Sequence, residues 1–262
     1  MSSVAIIGGT GLTSLQGLQI INREIIQTPY GEPSGILVRG NFCGHEVMFL
    51  PRHGPGHTIP PHLVNYRANI WALKEIGVTN VVAVNAVGGL RPDMEPGVLV
   101  IPDQIIDYTW GRINTYFEDR VNQVVHVDFT EPYCASLRTH LIDGAAQAGL
   151  AVIDGGTYGA TQGPRLETTA EIDRLEQDGC DIVGMTGMPE AVLARELELC
   201  YASVSLVVNR AAGRGNGEIS MTEIEQYLNS GITDVRKLLE LSLIHISEPT
   251  RLVHSSRMPS SA

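Results

Sequence analysis

Short apolar segments that end in glycine-containing turns alternate along this chain with segments of helical periodicity. Val4–Ile7 and Val81–Val87 are rich in β-branched residues and each is followed by two glycines, whereas His62–Ile76 repeats its apolar residues at helical spacing. Strand-like and helical segments in alternation predict an α/β fold. Ligands of such folds bind at the carboxyl ends of strands, so the polar turns after the apolar segments are the first candidates for a site.

The composition is typical of a globular protein with a sizeable core. Of the 262 residues, 43% are hydrophobic and 18% are charged, and no apolar stretch is long enough to cross a bilayer, so we expect no membrane partner. The net charge of −11 and the lack of a basic stripe argue against a nucleic-acid partner. We predict one domain over residues 1–241 and an irregular tail over residues 242–262, because the tail is rich in serine and proline and has no helical stripe.

The cysteines and the first residues both favour a cytoplasmic protein. Cys43, Cys134, Cys180 and Cys200 are widely spaced and include no C-x-x-C pair, which predicts neither zinc nor a disulfide framework. The chain begins without the basic segment of a secretory signal and leads directly into a strand. It contains no H-E-x-x-H motif and no EF-hand loop, so we expect no metal site.

Three polar turns between residues 161 and 209 lie where strands are expected to begin or end. They contain a carboxylate, a hydroxyl and an amide, namely Glu167, Thr186 and Asn209. This set, without a metal-ligand cluster, suits a small polar heterocycle attached to an anionic group. Each residue also has an ordinary structural explanation, because Glu167 fits the first turn of a helix, Thr186 fits a helix cap and Asn209 fits the end of a strand.

Glycine-rich turns elsewhere offer groups that bind anions. Gly8–Gly11 follows the first strand, and its N–H groups and the Thr10 hydroxyl suit a phosphate, although the turn is neither G-x-G-x-x-G nor a Walker A loop. Arg52 and His53 follow another strand, and arginine offers phosphate a bidentate fork. Asn85 ends the most apolar segment and needs partners if it is buried. A structural role remains the alternative for each of these residues.

Taken together, these turns resemble the family of trimeric purine nucleoside phosphorylases and methylthioadenosine phosphorylases, from about Val4 to about Leu241. The most specific segments are Ile7–Leu12, Arg52–Ile59, Val64–Leu73, Gly163–Thr168 and Met185–Glu190. The resemblance implies the nucleoside phosphorylase fold, which is a single α/β domain with a mixed, barrel-like central sheet flanked by helices. It also implies a homotrimer that converts a nucleoside and phosphate to a free base and a pentose 1-phosphate, with phosphate as co-substrate and no cofactor.

The resemblance also assigns roles to individual residues. It implies a phosphate site formed by Thr10, Arg52, His53, Asn85, Ala86 and Thr186, with Asn85 at a position where the methylthioadenosine enzymes have threonine. It implies a nucleoside site formed by Leu166, Glu167, Met185, Asn209, Met221 and Ile224, and it implies that His126 reaches from one subunit into a neighbouring 5′ pocket. Glu167, Asn209 and His53 are the residues expected to act in catalysis.

Departures from the family pattern bear on the substrate. Methylthioadenosine phosphorylases have serine at the position of Glu167 and aspartate at those of Asn209 and Ala211. A carboxylate accepts the N1 proton of a 6-oxopurine but repels the N1 lone pair of a 6-aminopurine, and an amide can donate to N7 as it gains charge. Purine nucleoside phosphorylases have histidine at the position of Met221, for the 5′-hydroxyl, whereas methionine suits a methylthio group.

An oxopurine pattern combined with a methylthio pattern predicts S-methyl-5′-thioinosine as the substrate. Within the family, the chain resembles the bacterial phosphorylases that act on this nucleoside. Three alternatives stay open: a purine nucleoside phosphorylase acting on inosine and guanosine, a methylthioadenosine phosphorylase, and a protein that binds nucleoside or phosphate without catalysis. Base release measured with and without phosphate separates all of these.

Overall fold

The computed structural model describes residues 3–118, 124–215 and 217–247, and in these ranges eleven strands form one mixed sheet. The strands are β1 (Val4–Gly8), β2 (Gln19–Glu24), β3 (Leu37–Phe42), β4 (His45–Pro51), β5 (Asn80–Gly89), β6 (Leu99–Ile101), β7 (Gln104–Asp107), β8 (Val152–Asp154), β9 (Thr157–Ala160), β10 (Ile182–Gly184) and β11 (Cys200–Arg210). The α-helices are α1 (Tyr66–Glu75), α2 (Ala135–Gln147), α3 (Thr169–Gln177), α4 (Gly187–Glu196) and α5 (Met221–Ser247), and a 3₁₀ helix covers Pro61–Leu63.

The sheet branches at β5. One path runs β2-β3-β4-β1-β5-β10-β9-β7, while β11 pairs with β5 and β6, and β6 pairs with β8. The pairs β1–β4, β1–β5 and β11–β5 are parallel, so the carboxyl ends of these four strands share one edge of the sheet. β10 meets only Gly88 and Gly89 of β5, antiparallel, and it runs parallel to β9. The ends of β9 and β10 therefore lie beside the end of β5.

Alternate side chains of the inner strands pack on opposite sides of the sheet. In β1, Ala5 and Ile7 belong to a core cluster with residues of α1 and α4, whereas Val4 and Ile6 pack with residues of α2 and α5. Burial on both faces explains why these strands are continuous apolar segments in the sequence. The predicted α/β class with a mixed sheet flanked by helices is confirmed.

Two details of the sheet differ from the sequence pattern. β2 is an edge strand with five of its six residues exposed, and without a buried face it shows no alternation from which to predict it. The segment Ala151–Ala160, whose composition alone is typical of one strand, forms two strands, β8 and β9. Gly155 and Gly156 separate them with φ values of 92° and 116°, a backbone region that glycine readily adopts.

The boundary predicted after residue 241 falls inside the final helix. α5 continues to Ser247, with Leu243 and Ile246 buried against the core. The irregular tail predicted from residue 242 is therefore contradicted over 242–247, while residues 248–262 lie outside the described residues. Despite the length of α5, no helix in the described ranges is apolar over enough residues to cross a bilayer.

The expectation that the cysteines form no disulfide is wrong. Cys134, the residue before α2, and Cys200, the first residue of β11, form a disulfide with Cα atoms 5.2 Å apart. The packing of α2 beside β11 brings them together from positions 66 residues apart, which the spacing of cysteines in the sequence does not reveal. Cys43 and Cys180 are free thiols.

Candidate active site

A cavity of about 560 Å³ lies at the carboxyl ends of the parallel strands, and its volume is in the range of small-molecule sites. All of the predicted site residues except His126 line it, namely Thr10, Arg52, His53, Asn85, Ala86, Leu166, Glu167, Met185, Thr186, Asn209, Met221 and Ile224. His126 is exposed and lies away from this cavity. The fold thus brings together residues from Thr10 to Ile224, which lie near opposite ends of the described chain.

Arg52 follows β4 directly and lines the cavity with a side chain that is almost wholly buried. Its Nε and Nη2 donate to the two carboxylate oxygens of Glu190, both at 2.7 Å, and Nη1 donates to the carbonyl of Val84 at 3.0 Å. A guanidinium has five N–H groups, so Nη1 and Nη2 each keep one for a ligand.

Glu190, in α4, is a member of the site that sequence reasoning missed. Its side chain is 0% exposed and accepts a further hydrogen bond from Tyr201 Oη at 2.9 Å. Burial acts to lower the pKa of Arg52, but the charge of Glu190 and its hydrogen bonds outweigh burial and raise that pKa. Arg52 and Glu190 are 138 residues apart, so their pairing has no local sequence pattern.

His53 lies beside Arg52 and is held as a neutral imidazole. Its Nδ1 lies 2.8 Å from the carbonyl oxygen of Ile59, which assigns the proton to Nδ1 and makes Nε2 an acceptor. Burial, and after it the charge of Arg52, lowers the pKa of His53 to about 4. His57 also lines the cavity, with its ring centroid 4.6 Å from that of His53.

Asn85 and Thr186 belong to one buried hydrogen-bonded group. Thr186 Oγ1 donates to Asn85 Oδ1 at 3.1 Å, and Asn85 Nδ2 donates to Ser203 Oγ at 2.6 Å. Thr186 occupies the N-cap position of α4, but its side chain makes no capping hydrogen bond. The alternative that this hydroxyl caps the helix is therefore wrong. Its hydroxyl proton is committed to Asn85, and its oxygen can accept a hydrogen bond from a ligand in the cavity.

The turn after β1 requires glycine next to Thr10. A Cβ on Gly9 would lie 2.4 Å from the carbonyl oxygen of Val84 and 2.8 Å from Arg52 Nη1. Only glycine therefore lets this turn approach β5 and the guanidinium so closely. Thr10 of this turn and Ala86 of β5 both line the cavity.

Glu167 lies between β9 and α3 and faces the same cavity. Thr161, the residue after β9, donates from Oγ1 to Glu167 Oε1 at 2.6 Å, so Oε2 is the oxygen available to a ligand. The N-cap of α3 is Thr168, which forms a capping box with Glu171. The alternative that Glu167 is a first-turn helix carboxylate is therefore wrong. Like Glu190, Thr161 is a residue of the site that the sequence does not single out.

Asn209 is presented by an irregularity in β11. The pairing register with β5 shifts between Val207 and Asn209, so Val208 is the extra residue of a β-bulge. Asn209 Nδ2 donates to the carbonyl of Arg210 at 2.8 Å, and its second N–H group is left for a ligand. A bulge that redirects one side chain at the end of a strand is typical of binding sites.

The rim of the cavity near the start of α5 is apolar. Ile224 is 8% exposed and Met221 is 63% exposed, and both line the cavity. Among residues 3–118, 124–215 and 217–247, no group of three histidine, cysteine, aspartate or glutamate side chains is placed to hold a metal ion. The site thus combines a cationic and hydroxyl-bearing part, a carboxylate–amide pair and an apolar rim.

Comparison with known proteins agrees with this geometry. Residues 3–243 match the family described as the Phosphorylase superfamily. A probable S-methyl-5′-thioinosine phosphorylase of Pseudomonas syringae pv. tomato is 56% identical over 91% of this chain and 97% of its own. A 6-oxopurine nucleoside phosphorylase of Pyrococcus furiosus is 46% identical over 91% of each chain. The structure of methylthioadenosine phosphorylase from Schistosoma mansoni in complex with adenine superposes with a TM-score of 0.90 at 33% identity, over 94% of this chain and 92% of that one. The chain therefore belongs to the phosphorylase superfamily.

Proposed function

We propose that this protein catalyses the reversible phosphorolysis of S-methyl-5′-thioinosine to hypoxanthine and 5-methylthioribose 1-phosphate. The observation that carries the proposal is that Arg52, the pair Glu167 and Asn209, and the apolar Met221 all line one cavity. The similarity to a probable S-methyl-5′-thioinosine phosphorylase over nearly the whole chain supports it. Phosphate is a co-substrate in this reaction, and we propose that neither a metal nor an organic cofactor takes part.

Glu167 and Asn209 are proposed to recognise a 6-oxopurine. The free Oε2 of Glu167 can accept the proton that a 6-oxopurine carries on N1, whereas a 6-aminopurine presents a lone pair there. The remaining N–H of Asn209 can donate to N7, where charge accumulates as the glycosidic bond breaks. Thr161 and the bulge at Val208 orient these two side chains, so the donor and acceptor positions are set before the purine binds.

Phosphate is proposed to bind where Arg52, His53, Thr10 and Thr186 meet. The C1′–N9 bond breaks with its electron pair passing to the purine, a phosphate oxygen bonds to C1′, and the proton that phosphate loses balances the one that hypoxanthine gains. Positive charge develops on the sugar in an oxocarbenium-like transition state, and the bound anion stabilises it. Holding phosphate against the sugar converts a bimolecular step into an effectively intramolecular one.

The sugar is proposed to lie against Met185, with its 5′-methylthio group on Met221 and Ile224. Thioether and aliphatic side chains bind a methylthio group well but offer no hydrogen-bond partner to a 5′-hydroxyl. A cytoplasmic location stays a proposal, and the cysteines do not support it because Cys134 and Cys200 form a disulfide. We also propose that the protein is a homotrimer in which His126 of one subunit reaches the 5′ end of a neighbouring site. A sedimentation mass of three chains supports the trimer, and a mass of one chain excludes it.

Two related activities are the alternatives. A phosphorylase of inosine and guanosine is favoured by the similarity to a 6-oxopurine nucleoside phosphorylase. A methylthioadenosine phosphorylase is favoured by the similarity in structure to the Schistosoma mansoni protein. Glu167 argues against the adenine nucleoside, because an ionised carboxylate repels the N1 lone pair, and Met221 argues against the 5′-hydroxyl.

A panel of four nucleosides tests the proposal. Purified protein is incubated with methylthioinosine, methylthioadenosine, inosine or guanosine, with and without phosphate, and the released base is measured by chromatography. We expect hypoxanthine from methylthioinosine in phosphate buffer only. Base release that does not need phosphate would indicate a hydrolase, and purine binding without any base release would indicate a binding protein, so either result overturns the proposal.

A further inference from the structure

Arg112 lies in the long segment between β7 and α2, outside the residues that line the cavity. Its guanidinium is directed at backbone carbonyls of two separate turns. Nη1 donates to the carbonyls of Met188 at 2.6 Å and Met185 at 2.8 Å, and Nη2 donates to that of Gln162 at 2.7 Å. A longer bond of 3.3 Å joins Nη2 to the carbonyl of Thr161.

These two turns carry opposite parts of the candidate active site. The turn that contains Met185 and Met188 also contains Thr186, which belongs to the phosphate part. The turn that contains Thr161 and Gln162 precedes Glu167, and Thr161 itself orients that carboxylate. A single side chain therefore connects the phosphate turn with the base turn from behind the cavity.

The guanidinium of Arg112 is also linked, through Tyr66, to a third segment that lines the cavity. Its Nη1 lies 3.3 Å from Tyr66 Oη, which donates in turn to the carbonyl of Pro61, a cavity residue, at 2.9 Å. Its Cζ lies 5.5 Å from the centre of the Tyr66 ring. Among the described residues, no carboxylate lies within ion-pair distance of Arg112. Nε donates to the side-chain oxygen of Gln162 at 3.2 Å, so the hydrogen bonds of Arg112 go to neutral oxygens, most of them backbone carbonyls, and not to a carboxylate.

We propose that Arg112 is a positioning residue that sets the distance between the phosphate-binding and base-binding turns. Charge-assisted hydrogen bonds are shorter and stronger than neutral ones, and the planar fork of arginine fixes the direction of several at once. Lysine has neither the planar fork nor five donors and cannot reproduce this arrangement. The inference rests on the proposed phosphorolysis, because both turns act on substrates of that reaction.

The test compares Arg112→Ala and Arg112→Lys with Arg138→Ala as a matched control. Arg138 is likewise a partly buried arginine that donates to backbone carbonyls, those of Pro102 at 2.9 Å and Ile101 at 3.2 Å. It differs from Arg112 in that it also pairs with Asp154 and lies away from the cavity. For each variant, kcat, the KM for methylthioinosine, the KM for phosphate and the melting temperature are measured. Guanidinium chloride is then added below the concentration that unfolds the protein.

We expect Arg112→Ala to raise the KM for both substrates and to lower kcat, with a loss of kcat/KM on the order of 100-fold, as for a small misplacement of reacting groups. Arg112→Lys should lose less activity than Arg112→Ala. Guanidinium should restore activity to Arg112→Ala only. A purely structural role would reduce the amount of active protein, which lowers kcat and leaves both KM values unchanged. That result, or a loss no larger than that of Arg138→Ala, overturns the inference. Absence of base release by the unmodified protein would instead overturn the proposed function.

Discussion

The change Glu190→Gln removes one charge from the pair that holds Arg52. The two side chains are 1% and 0% exposed, and they are joined by two hydrogen bonds of 2.7 Å. Glutamine keeps the volume of Glu190 but offers one acceptor in place of two, and its amide group would face a guanidinium that has only donors. Arg52 would then be a buried charge without a counter-ion.

Breaking a buried pair from one side typically costs about 3–5 kcal/mol. For a domain of this size, 1 kcal/mol corresponds to a shift in melting temperature of about 2–4 °C, so we expect a decrease of about 6–20 °C. Thermal unfolding followed by circular dichroism, without phosphate, measures this shift. The matched control is Glu46→Gln, because Glu46 pairs with Arg39 at 3.1 Å but is 59% exposed. Exposed pairs contribute about 0–1 kcal/mol, so the control should melt within a few degrees of the unmodified protein.

A double variant tests whether the unpaired charge of Arg52, and not the altered shape of the side chains, causes the loss of stability. Replacing both partners, Arg52→Met with Glu190→Met, removes the unpaired charge, and replacement of a buried pair by apolar residues is often neutral or stabilising. We expect the double variant to regain much of the stability lost by Glu190→Gln and to have no phosphorolysis, because the phosphate site has lost its cation. If Glu190→Gln melts no lower than Glu46→Gln, then Glu190 does not stabilise the folded protein through its pair with Arg52.

Three further predictions concern the purine, the sugar and pH. Asn209→Asp should lower kcat for methylthioinosine by about 10²–10³-fold, because the donor to N7 is lost, and an unchanged kcat would remove Asn209 from the mechanism. Met221→His should raise the ratio of kcat/KM for inosine to that for methylthioinosine by about tenfold or more, and a constant ratio would show that Met221 does not select the 5′ group. The pKa of His53 is lowered from 6.5 to about 4 mainly by burial, so between these values the unfolded state binds more protons than the folded state. The contribution of His53 to the free energy of unfolding should therefore fall by up to about 3 kcal/mol as the pH decreases from about 6.5 to about 4. Urea unfolding of the unmodified protein should depend more steeply on pH than that of His53→Gln, and an equal or weaker dependence would contradict this assignment.

Much of the fold follows from local patterns in the sequence. Inner strands such as β1 and β5 are buried on both faces, so they are apolar throughout and are recognisable without a partner. β2 has no buried face, and therefore no pattern, and the end of α5 is concealed by a serine-rich segment that nevertheless buries Leu243 and Ile246. The disulfide between Cys134 and Cys200 depends on packing across 66 residues.

In the candidate site, too, some residues are predictable from local sequence patterns and others depend on long-range packing. Residues in glycine-flanked turns, such as Thr10, Arg52 and Glu167, are predictable because the turns follow strands that end at one edge of the sheet. Glu190 and Arg112 act through other residues, and their partners are distant in sequence. Long-range hydrogen bonds of this kind are set by the folded chain, so residue spacing alone does not predict them.

We propose that one cavity selects both a 6-oxopurine and a 5′-methylthio group. The most direct measurement is kcat/KM for methylthioinosine, methylthioadenosine and inosine with one preparation of protein at saturating phosphate. We expect the highest value for methylthioinosine, with lower values for both the 6-amino and the 5′-hydroxyl compounds. A value for methylthioadenosine or for inosine that equals or exceeds that of methylthioinosine would contradict it.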